Sequence, residues 1–78
     1  MPRYFFHIYD DLVLVDDEGL ELADDEAARS QALAGARGMM CDQLRAGHLT
    51  LHHRVEVEGE AGESLLILTF GDAVRILP

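Results

Sequence analysis

Five residues at steps of four, Ala28, Ala32, Ala36, Met40 and Leu44, form the one apolar stripe in this chain that a helix can bury. Its limits are written beside it. Asp24 is placed to cap the first turn, Asp25 and Glu26 put negative charge where the helix dipole favours it, and Gly47 follows as a left-handed C-terminal cap. Leu33 lies alongside the stripe, whereas Arg29, Gln31, Arg37, Asp42 and Arg45 lie mostly off it. Gly35 and Gly38 weaken such a helix by roughly 1 kcal/mol each relative to alanine. They are expected to let the helix approach closely whatever lies beneath it.

The remaining segments read as strands. Residues 3–9 are rich in rings and β-branched side chains and lack a helix start. Period-two geometry sets Tyr4, Phe6 and Ile8 on one face and Arg3, Phe5, His7 and Tyr9 on the other. Asp10-Asp11 reads as a turn, because Asp tolerates left-handed backbone and bonds its own main chain. Residues 12–15 return as a second, antiparallel strand, and residues 16–22 form an acidic crossing with a turn or bulge at Gly19. Over residues 51–58, Leu51, His53, Val55 and Val57 alternate with His52, Arg54, Glu56 and Glu58, as in a half-buried strand. The two-glycine loop GEAGE leads to a fourth strand, 64–70, which is apolar on both faces. Val74, Ile76 and Leu77 trail off as an edge segment.

The order β-β-α-β-β gives an α+β class: one helix packed on a four-stranded antiparallel sheet, in a single domain spanning 1–78. Ala32, Ala36 and Met40 are expected to face that sheet, with Val55 and Val57 among their contacts.

At 78 residues such a core is near the lower limit for a domain without staples. The one cysteine, Cys41, forms no internal disulfide and is expected to pack as a small hydrophobe, which points to a reducing, cytoplasmic setting. Neither a basic leader nor a long apolar run is present, so no membrane span is expected. Fifteen acids against six arginines and no lysine give a formal charge of −9, which repels a phosphate backbone and disfavours nucleic-acid binding.

MPRYFFH at the start, DDEGLEL before the helix, DDEAARSQAL opening it and LLILTFGDAV near the end resemble a family of small, uncharacterised proteobacterial proteins grouped as a domain of unknown function. The resemblance spans nearly the whole chain and implies no activity. Where such relatives often carry Asp-Gly at the first turn, this chain has Asp10-Asp11. A weaker likeness, confined to the acidic glycine loop, the acidic cap and the Ala-rich helix, is to the partly degraded RNase H-like fold of HicB-type antitoxins. It implies an antitoxin or adaptor that neutralises a basic protein partner.

No residue pattern supports catalysis. Ser30 and Ser64 lie outside any nucleophile motif, and no glycine loop cradles phosphate. His48, His52 and His53, with His7 if the first and third strands are neighbours, lack the spacing of a metal site, and the acids at 10, 11 and 16–18 do not follow a calcium loop. No enzyme activity, metal or cofactor is expected. What needs explaining is the sheet face that a single helix leaves bare. It is expected to bury Phe5, His7 and Tyr9 against a second copy, making the protein a homodimeric interaction or structural module.

Overall fold

The computed structural model describes residues 1–78 and contains, in chain order, β1 (Arg3–Tyr9), β2 (Val13–Leu14), β3 (Leu20–Glu21), α1 (Asp25–Arg45), β4 (Arg54–Glu58), β5 (Ser64–Thr69) and a 3-10 turn at Gly71–Ala73. The helix takes its limits from its caps. Asp24 Oδ1 accepts the Ala27 N–H at 2.9 Å. At the other end Gly47, at φ +89°, turns the chain so that its own N–H reaches Leu44 O and the His48 N–H reaches Gln43 O, both at 3.0 Å.

The sheet is antiparallel throughout, in the order β2-β1-β4-β5, with β3 also pairing β1. The α+β class stands, with five strands where four were expected. The acidic crossing does not leave the sheet. It continues along the same edge of β1 after a break, so that Arg3 pairs with Glu21 and Tyr4 with Leu20. Tyr4 and Ile8 lie four positions apart while their partners Leu20 and Leu14 lie six apart, so the returning chain carries two extra residues. Those residues bulge out around residues 15–19.

Tyr4, Ala28, Ala32, Ala36, Met40, Val55, Val57, Leu68, Phe70 and Ala73 form one buried cluster between helix and sheet. Ala32, Ala36 and Met40 thus face β4 as the stripe requires. Alanine along the contact row, rather than glycine, is what lets the helix sit close. A Cβ at Gly35 or Gly38 would meet nothing within 4 Å, so neither glycine serves the packing. Leu44 is exposed, contrary to the stripe: the 21-residue helix is about 31 Å long and outruns the sheet, whose longest strand has seven residues. Cys41 is exposed too, since it lies one position past Met40 and is rotated off the buried row.

Two further expectations change. The fourth strand does not alternate simply, because the register between β4 and β5 shifts at Val57/Glu58, leaving Leu65 as the extra residue between Ser64 and Leu66. Leu65 therefore turns to the helix side, where it lines a groove with Glu26, Ala28, Arg29 and Leu66. The C-terminal segment forms no strand: Ala73 and Val74 pack on the core, the Arg37 Nε–H bonds Ala73 O at 2.8 Å, and Ile76 and Leu77 are exposed. No helix is long and apolar enough to cross a membrane.

Candidate functional site

Strand parity sends Phe5, His7 and Tyr9 out of the sheet face opposite α1. Each is half-buried, although no second layer covers them. Their cover comes from the chain itself. Gly19, at φ +72°, lies against Phe5, and a Cβ there would come within 2.9 Å of the ring and 2.8 Å of Arg3 Cγ. The Arg54 guanidinium sits 4.2 Å from the centre of the Tyr9 ring, and its Nε–H donates to Glu56 Oε2 at 2.6 Å. His7 Nδ1 accepts the Asp16 N–H at 3.0 Å, which places the ring hydrogen on Nε2, 3.3 Å from Glu58 Oε1. A dip of about 270 Å³ beside these residues has the carboxylates of Glu56 and Glu58 in its wall, so the centre of this face is polar.

Asp16 organises the bulge that covers Phe5. The β1–β2 register, carried two residues on, would set the Asp16 main chain opposite Phe6. The rung is made by the side chain instead: Asp16 Oδ2 accepts the Phe6 N–H at 3.0 Å, while Oδ1 accepts those of Glu18 at 3.1 Å and Gly19 at 3.0 Å. Burial pushes the Asp16 carboxyl up. The three backbone donors and the neighbouring His7 outweigh that and hold it below the usual 3.8. The sequence reading missed this role, since Asp16 and Asp17 look alike there. The one available signal was Gly19 three residues after Asp16.

The other histidines do not join His7. His53 lies on the helix side, buried, with its ring edge-on to Phe70 at 5.6 Å. Gln43 Oε1 accepts the Thr50 N–H at 2.9 Å, so its Nε2 donates to His53 Nδ1 at 3.0 Å. His53 Nε2 then faces Asp11 Oδ1 at 3.6 Å. β1 and β4 are neighbours, yet opposite parity puts His7 and His53 on opposite faces. No group of three or more His, Cys, Asp or Glu side chains is placed to share a metal ion.

What remains unpartnered is at the two edges of the sheet. On one edge Leu12, Val13, Leu14 and Val15 are 70, 59, 55 and 69% exposed. Asp10 and Asp11 precede this run, and Asp16, Asp17 and Glu18 follow it. On the other edge β5, six residues long, pairs only with β4 and leaves Ile67 55% exposed. Apolar edges with unpaired main chain are where a further strand adds.

Neither a curated protein nor a solved structure matches the chain. The likeness to HicB-type antitoxins therefore finds no support. A family model does match residues 3–71, nearly all of the folded core, and by that match the chain belongs to the domain of unknown function DUF6894.

Proposed function

We propose that the protein is a small, non-catalytic interaction module that self-associates, two copies adding edge to edge through β5. The observation that carries this reading is the free edge of β5: the strand SLLILT contains no charge and has one partner. Antiparallel pairing about a twofold axis at Ile67 sets Ile67 opposite its own copy, Leu66 opposite Leu68, Leu65 opposite Thr69 and Ser64 opposite Phe70, so no acid meets an acid there. At a formal charge of −9 that condition is restrictive. Phe5, His7 and Tyr9 are less suited to the contact, because Gly19, Asp16, Glu58 and Arg54 already engage them.

A six-residue strand pair is a small interface, at the weak end of specific contacts, so the test is light scattering on untagged protein up to high micromolar concentration. The expected result is a dimer that Ile67→Lys dissociates and Val13→Lys does not. A wild-type mass of one chain throughout that range would refute self-association. Loss of the dimer on Val13→Lys instead would move the contact to the opposite side of the sheet.

A further inference from the structure

The second free edge is built differently, and the difference says what it accepts. We infer that residues 12–15 receive an extended strand of another protein, apolar over a matching length and basic at both ends. The contact is separate from the one through β5, and neither depends on the other.

Three observations carry this. The four side chains are all more than half exposed and stand on both faces of the edge, so an added strand finds apolar neighbours above and below. The main chain of the run has only β1 beside it: Leu12 O accepts the Asp10 N–H at 3.1 Å and Leu14 pairs with Ile8, which by antiparallel alternation turns Val13 and Val15 N–H and C=O outward. The ends are acidic, and they exclude a second copy. Antiparallel self-pairing centred on Val13 would set Asp10 opposite Asp16, centred on Leu14 it would set Asp11 opposite Asp17 and Asp10 opposite Glu18, acid on acid at both ends either way, and parallel self-pairing would set each acid beside itself.

The carboxylates free to meet a partner are those of Asp17 and Glu18 at one end and, at the other, the outer oxygen of Asp11, whose Oδ1 faces His53 Nε2 but whose side chain is 98% exposed, since Asp16 is occupied by Phe6, Glu18 and Gly19 and Asp10 Oδ1 accepts the Leu12 N–H. Arginine or lysine at both ends of an incoming apolar strand would sit against these acids. An apolar strand with acidic ends would meet the same repulsion as a second copy.

The probe is a fluorescein-labelled peptide, Lys-Arg-Val-Ile-Val-Thr-Arg-Lys, with Glu-Asp-Val-Ile-Val-Thr-Asp-Glu as its charge-reversed control, followed by anisotropy on the full chain. The basic-ended peptide is expected to bind and to weaken with salt, and the acidic one to remain free. Val13→Pro, which removes an outward N–H without changing charge, is expected to weaken binding about tenfold. Replacing Asp11, Asp17 and Glu18 by their amides is expected to weaken it about tenfold and to flatten the salt dependence. Circular dichroism confirms that each variant is folded. Absence of binding would overturn the proposal, and so would binding indifferent to Val13→Pro, which would reduce it to attraction by the general negative field. A wild-type dimer that Val13→Pro dissociates would assign the edge to a second copy and overturn it as well.

Discussion

The Tyr4 hydroxyl donates to Asp25 Oδ1 at 2.8 Å, tying the first strand to the first turn of the helix across 21 positions of sequence. The bond fixes where the helix begins relative to the sheet, because Tyr4 itself is buried in the core. Burial, then the bond to Asp25 and the negative charge of Asp25, Asp24 and Glu60, push the Tyr4 phenol up to about 12.

That shift has a sign. The folded chain keeps the Tyr4 proton above the pH at which the unfolded chain releases it near 10, so this contribution to stability is intact below pH 10 and is lost as pH rises from 10 towards 12. Absorbance titration of tyrosinate is expected to show one ring ionising at about pH 12. Tyr4→Phe is expected to remove that late step and to lower the midpoint of a denaturant melt through the lost bond to Asp25.

Asp16 behaves oppositely. Its carboxyl is held below 3.8 in the folded chain, so the stability it contributes is present above that pH and is lost as pH falls through the lower folded value. Asp16→Ala leaves the Phe6, Glu18 and Gly19 N–H groups without their acceptor and is expected to cost about 1–3 kcal/mol. Hydrogen exchange is the direct check: the Phe6 amide is expected to lose protection while amides in β4 keep theirs.

Gly35→Ala and Gly38→Ala are each expected to stabilise the protein by about 1 kcal/mol, since the new methyl meets nothing and the helix gains propensity. In thermal melts this corresponds to a rise of about 4–8 °C per substitution for a domain of this size. Gly47→Ala also meets nothing but is expected to destabilise, because φ there is +89°. A melt in which all three behaved alike would show that backbone conformation does not separate them.

Met40→Asp puts an unpaired charge into the cluster and is expected to cost about 4 kcal/mol or more, enough to unfold a domain this small. Arg37→Asp is expected to cost about 1 kcal/mol, through the lost bond to Ala73 O, and to leave the protein folded. Denaturant melts of the two variants test the phase of the helix directly.

The helix and its limits were legible in the sequence because they depend on contacts within a turn: Asp24 with Ala27, the four-residue stripe, and Gly47 with its positive φ. So was the face each residue of β1 takes, because parity along a strand is local. The pairing of β1 with β2 and of β4 with β5 was legible too, from the short turns that join them, but the tertiary structure alone decided that β1 lies beside β4 and that β3 rejoins β1, and with that which edges are free to bind. It separated Asp16 from Asp17 by closing a side-chain rung to Phe6 ten positions away, covered Phe5 with Gly19, and carried Leu65 to the helix side through a register shift. It also exposed Leu44, which depends on where the sheet ends beneath the helix, whereas the exposure of Cys41 follows from its position on the helix one residue past Met40. The physical reason is common to all of these. Propensity, capping and periodicity act between residues a few positions apart, whereas strand pairing and burial are settled by distant segments such as β1 and β4, where His7 meets Glu58 across 51 positions.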